Sequence, residues 1–173
     1  MKRDQKTLFT TLALLFVAAS IAVPALAQDL KAVILSGPAL TRVVPTSFYF
    51  QGQAAPTQAR NSAAARFAEN RFVVVGMVDT SGYSAEIRAH YQGFFITDSA
   101  ITVGGESLPT GAYGFGFSND GKFNILDLGN NQVLSVSSTN DKALKRPRPL
   151  MMTMDGSNVR LYAGRDYVVI GAK

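Results

Sequence analysis

Apolar residues in this chain come in short runs of about four to eight, and turn residues separate them. The runs are "VVPTSFYFQ" (43–51), "RFVVVGMVD" (71–79), "GFFITDS" (93–99), "AITVG" (100–104), "AYGFGFS" (112–118) and "KFNILDLG" (122–129). They continue with "QVLSVSS" (132–138), "PLMMTMD" (149–155), "NVRLYAG" (158–164) and "DYVVIGA" (166–172). Between them stand Asp98-Ser99, Gly104-Gly105, Asn119-Asp120-Gly121, Gly129-Asn130-Asn131, Asp155-Gly156-Ser157 and Gly164-Arg165. Gly-Gly and Asp-Gly pairs accept the positive φ that tight hairpins require. Turns recurring every ~8–12 residues predict a mainly β protein: a single antiparallel β-barrel or β-sandwich of about eight strands.

One segment departs from this pattern. "SAEIRAHYQG" predicts a short helix from Ser84 to Gln92. Ser84 is suited to cap its N-terminus, Glu86 lies in the first turn, His90 in the last, and Gly93 follows as a stop. Ile87, Tyr91 and Phe94 then fall on one packed face. Residues 57–70 read as strand or helix, with strand favoured because Glu69-Asn70 can form a hairpin tip.

In "AYGFGF", period-two alternation sends Tyr113, Phe115 and Phe117 to one side and Ala112, Gly114 and Gly116 to the other. The second face is bare, so another backbone, the short helix or a ligand must lie close against it.

The N-terminus has a different character. Lys2, Arg3 and Lys6 precede an apolar run from Leu8 to Val23, and Ala25-Leu26-Ala27 gives an A-x-A cleavage pattern. This predicts a secretory signal peptide over 1–27, since the run falls short of the ~20 residues a membrane-spanning helix needs. The expected organisation is 1–27 signal peptide, 28–41 N-terminal leader and 42–173 β-domain, exported to a bacterial periplasm or medium. The chain has no cysteine, so its core must hold without disulfides. The net charge of +5 falls to +3 once the signal segment is removed, which is too weak to call for nucleic acid.

Several motifs suggest chemistry. Gly116 to Lys122 has phosphate-loop spacing, but Phe123 occupies the hydroxyl position and a strand follows where a helix should begin. Asp79-Thr80-Ser81-Gly82 is like an aspartic-protease loop with one residue too many. Glu86 and His90 stand four apart on one helix face, which suits an acid–base pair or two metal ligands. One histidine without cysteine makes a poor zinc set, and no nucleophile elbow is present for a Ser–His–Asp triad. Lys142, Lys145, Arg146 and Arg148 cluster around Pro147 and Pro149 in a segment suited to an acidic partner. That segment has no interleaved aromatic for stacking on single-stranded nucleic acid.

The stretch "GGESLPTGAYGFGF", of the form G-G-x-x-L-P-x-G-x-Y, resembles a hairpin of uncharacterised exported bacterial β-rich families, acidobacterial-type proteins among them. "DTSGYS" and "RLYAGRDYVV" are similar to the same group. The resemblance implies an exported bacterial β-domain and transfers no activity to any residue.

The expected function is non-enzymatic binding of a small ligand or an envelope protein or polymer. The ligand candidates are Asp79, Tyr83, Glu86, Arg88 and His90; the partner candidates are Lys142, Lys145, Arg146 and Arg148. No cofactor or nucleic acid is expected. The alternatives are an assembly subunit pairing through exposed strand edges and a hydrolase using Glu86, His90 or Asp79.

Overall fold

A computed structural model describes residues 32–68 and 71–173. The expected signal peptide, residues 28–31 of the leader, and the Glu69-Asn70 tip lie outside the described residues. From the N-terminus the elements are β1 (Val33–Ile34), α1 (Gly37–Val43), β2 (Ser47–Phe50), β3 (Gln53–Ala68), β4 (Arg71–Val78), α2 (Ala85–Arg88) and β5 (Gly93–Thr97). There follow β6 (Ile101–Val103), β7 (Glu106–Leu108), β8 (Gly111–Phe117), β9 (Lys122–Leu126), β10 (Gln132–Ser137) and β11 (Thr139–Asn140). The chain closes with β12 (Arg148–Asp155), β13 (Asn158–Gly164) and β14 (Asp166–Ala172).

Two antiparallel sheets form a sandwich. One has the order β1-β3-β4-β5-β8-β9-β10, with β2 pairing on β3. The other has the order β12-β13-β14-β6-β7, with β11 pairing on β14. The core between them gathers Phe95, Phe115, Phe117, Phe123 and Ile125 from the first sheet with Ile101, Val103, Leu161 and Ile170 from the second. Phe123 centres the aromatic part, 4.8 Å from Phe117 and 5.8 Å from Phe115 between ring centroids.

The two sheets differ on their outer faces, and the sequence already differs with them. In β13 and β14, Val159, Leu161, Val168 and Ile170 are buried while the intervening Arg160 and Val169 are partly exposed. That alternation belongs to a sheet with one solvated face. In β4 and β5 the apolar run is continuous: Val73, Val75 and Phe95 enter the inter-sheet core, and Val74 and Phe94 enter a second cluster on the other side. A strand apolar on both sides needs cover on both.

The cover comes from β2, the start of β3, and the segment around α2. Residues 58–61 interrupt the β3–β4 register, which passes from Thr57↔Val78 to Ser62↔Gly76. Gln58 closes this irregularity, donating to the Val78 carbonyl at 3.1 Å and accepting from Asn61 at 2.7 Å. Beyond it the β2–β3 hairpin lies over the sheet and brings Phe48, Phe50 and Ala55 into the second cluster.

The bare face of β8 is thereby explained. A Cβ on Gly114 would stand 2.5 Å from the Phe50 ring, and one on Gly116 would stand 2.1 Å from the His90 carbonyl oxygen. Chain packing fills that face, while Ala112 stays exposed.

Several expectations need correction. Fourteen strands are present among the described residues, because the barrel-or-sandwich pattern breaks into short pieces at bulges and sheet crossings. The helix covers only Ala85–Arg88; Ser84 does cap it, accepting from the Ile87 amide at 3.3 Å. Gly93 is the first residue of β5 and not a helix stop: a Cβ there would lie 2.1 Å from the Gly76 carbonyl oxygen. The leader is part of the fold where described, since Val33–Ile34 pairs with Arg66 and Ala65, and α1 runs across the expected boundary at 42. Residues 57–68 are strand, as favoured.

Because Gly116 meets backbone and not a flexible side chain, Gly116→Ala is expected to lose about 1–3 kcal/mol or more of stability. Phe50→Ala should lose about 3–5 kcal/mol. Urea unfolding measures both, and a Gly116→Ala protein with the wild-type midpoint would refute the close contact.

Candidate functional site

The residues around α2 are separated by their surroundings. Asp79 is exposed at the end of β4, where its carboxylate accepts from the Ser81 amide at 3.0 Å. That backbone bond, with the Ser81 side chain second, holds its pKa below the ordinary value. An aspartic-protease dyad works the other way, raising one carboxyl through a shared proton.

Tyr83 is buried. Its hydroxyl donates to the carbonyls of Phe50 (3.1 Å) and Gln53 (3.3 Å), which fastens the covering hairpin. Tyr91 stacks on Phe50 at 3.8 Å with an interplanar angle of 10°, and its hydroxyl is buried without a hydrogen-bond partner. Burial pushes both tyrosines up, Tyr91 well beyond the usual range.

Glu86 and Arg88 are exposed on α2. His90 is half-buried, and its Nε2 lies 2.8 Å from Asn130 Oδ1. Asn130 sits at φ 73° in the β9–β10 turn. Asp127 organises that turn, accepting from the Gly129 and Asn131 amides and the Asn131 side chain at 2.8–2.9 Å. Asp79 and Tyr83 border a hollow of about 190 Å³ with Gln53, Pro56, Ser81 and Gly82, and Glu86, Arg88 and His90 do not line it. No hydrogen bond or ion pair joins Asp79, Glu86 and His90 among the described residues. Nor does any group of three or more His, Asp or Glu side chains gather there. In the former phosphate-loop motif, Gly121 takes φ 76° in the β8–β9 turn and Lys122 begins β9.

The basic segment forms a more developed site. Residues 141–147 cross from β11 to β12 as a loop held from below. Asp141 accepts from the amides of Ala143 (3.0 Å) and Leu144 (3.1 Å), and its second oxygen accepts from the Tyr162 hydroxyl at 3.0 Å. Arg165 reaches under the loop and donates to the carbonyls of Asp141, Lys142 and Leu144. The loop therefore has a fixed shape although its side chains are exposed.

Beside this loop runs a groove of about 560 Å³, lined by Leu144, Lys145, Arg146, Arg148, Met151 and Met152. Three of the four basic candidates come together there, and Lys142 stays outside the lining. The ion pair found among the described residues, Arg160 to Asp155 at 3.0 Å, involves none of them. A further hollow of about 250 Å³ between α1 and β3 is lined by Leu40, Val44, Pro45 and three threonines and carries no charge.

Sequence reasoning found the cations of the groove and missed its floor and its fastenings. Met151 and Met152 read as strand residues, and Leu144 as part of an extended loop. Asp141 and Arg165 are more than twenty positions apart, and single-chain spacing gave no signal that they meet.

Two tests follow. Asp127 lies below the ordinary carboxylate value of 3.8, first through the Asn131 side chain and then through backbone amides. Its stabilisation should be full above pH 3.8 and vanish as pH falls through the lower folded value. The gap in urea midpoint between wild type and Asp127→Ala should therefore close in acid. Second, Arg165→Met should free the loop, raising trypsin cleavage after Lys142 and Lys145 about tenfold or more, read by mass spectrometry. Comparison with protein-family models, with curated proteins and with solved structures finds no match for this chain.

Proposed function

We propose that this chain is an exported, non-enzymatic binding protein whose site is the basic groove beside β12, and that its partner is anionic. One observation carries the reading. Lys145, Arg146 and Arg148 line an apolar-floored groove on a loop fixed from beneath by Arg165 and Asp141. A loop merely crossing solvent has no need of such fastening, whereas a binding surface gains affinity from a preorganised shape. The volume lies within the ~300–1,000 Å³ typical of small-ligand sites. Export rests on the N-terminal pattern of Lys2 to Ala27, and the absence of cysteine agrees with a bacterial envelope domain.

Two dyes of one skeleton test the charge requirement. The anionic 1-anilinonaphthalene-8-sulfonate should bind more tightly than neutral N-phenyl-1-naphthylamine, and salt should weaken it. Replacing Lys145, Arg146 and Arg148 together by Glu should cost the anionic dye about tenfold or more in affinity and leave the neutral dye little changed. Equal affinity of the wild type for both dyes would overturn the reading.

A further inference from the structure

We infer, resting on the anion-binding reading above, that the groove's ligand is a monomeric anionic amphiphile. Its acyl chain lies against Leu144 and Met151, and its carboxylate or phosphate head group meets Lys145, Arg146 and Arg148.

The groove joins two surfaces that a simple anion or an apolar molecule would use only in part. Its lining is three cations and three apolar side chains, with no carboxylate among them. Guanidinium groups take phosphate or carboxylate in bidentate fashion, and two of the three cations are arginines. Methionine is unbranched and polarisable, and it adapts to a flexible chain better than a branched side chain does. Met151 is half-buried, while Met152 packs into the inter-sheet core, so Leu144 and Met151 are the apolar side chains of the lining left to meet a flexible chain. Residues 148 to 152 span up to about 13 Å of strand at ~3.3 Å per residue, close to the length of an extended chain of about ten carbons.

A peptide fits less well. Among the described residues β12 pairs with β13 alone and is the edge of its sheet, which in principle invites an added strand. Pro149 has no N–H to offer, however, and the register breaks between Arg148 and Met151. The interruption falls at the cationic end, where an acidic strand would have to pair. A bilayer surface would meet the exposed cations and leave the floor uncovered, so the committed source is the free amphiphile.

Calorimetry with inorganic phosphate, hexyl phosphate, dodecyl phosphate and dodecyl maltoside, each below its micelle concentration, tests the inference. Dodecyl phosphate is expected to bind about 50-fold or more tighter than hexyl phosphate, because the added methylenes leave water. Dodecyl maltoside should bind at least about tenfold more weakly than dodecyl phosphate. Met151→Asp should abolish the chain-length gain while keeping the preference for the anionic dye. Phosphatidylglycerol vesicles should not carry the protein down on sedimentation.

If hexyl and dodecyl phosphate bind alike while the anionic dye keeps its preference, the amphiphile is wrong and the anion site stands. If the dye preference is also missing, both readings fall. Co-sedimentation with vesicles, or tighter binding of an acidic peptide than of dodecyl phosphate, would overturn the choice of a free amphiphile.

Discussion

The architecture depends on two missing side chains. Gly114 and Gly116 leave the outer face of β8 flat enough for the Phe50 ring and the His90–Tyr91 backbone to rest on it. With side chains there, the hairpin and the turn after α2 would be lifted off the sheet. Val74, Phe94 and Leu126 would then face water, although the continuous apolar runs of β4 and β5 require cover. Tyr83 completes the arrangement by tying its hydroxyl to the Phe50 and Gln53 carbonyls. The segment holding Tyr83, Ile87 and Tyr91 is thus occupied in closing the second hydrophobic layer. Of the ligand candidates, Asp79, Glu86 and Arg88 are exposed and His90 is half-buried.

That asymmetry sets where a ligand can approach. The central strands of the first sheet, β4 and β5, spend both faces on packing. The outer face of the second sheet is mostly solvated, Tyr162 beneath Asp141 apart, and its edge strand β12 lies beside the loop arriving from β11. A groove forms at this junction because a loop cannot continue the ladder of an edge strand that carries proline and a register break. The same irregularity that weakens β12 as a pairing edge opens the space between Leu144 and Met151.

Much of the fold was legible because its signals are local. Gly104-Gly105, Asp120-Gly121 and Asp155-Gly156 mark turns by their own backbone freedom, and all three appear as hairpin turns. Ser84 as a cap was legible for the same reason. The strand count was not, since bulges at 58–61 and near Pro149 depend on what each strand meets across the sheet. Gly93 misled because a glycine after a helical pattern reads as a stop, while its actual role is close passage beside the Gly76 carbonyl. The basic candidates were visible as a cluster in sequence. Their floor was not, because Met151 and Met152 are as suited to core as to ligand. Asp141 and Arg165 gave no signal at all, since their meeting is a product of the fold.

The balance of charge in the loop ties its structure to its proposed use. Four of the chain's 17 lysines and arginines fall between Lys142 and Arg148, next to one carboxylate, Asp141. That carboxylate is turned inward to two backbone amides and Tyr162. Arg165, a fifth cation, is turned to backbone carbonyls. The two groups that hold the loop are therefore satisfied by its backbone and by Tyr162, and Lys145, Arg146 and Arg148 share one groove with no carboxylate in its lining. Repulsion among like charges weakens a fold. An anion seated in the groove would relieve it, and binding to the folded state alone would add stability in proportion to occupancy. On this reading the fastening by Arg165 and Asp141 holds the loop in the shape that brings these cations together.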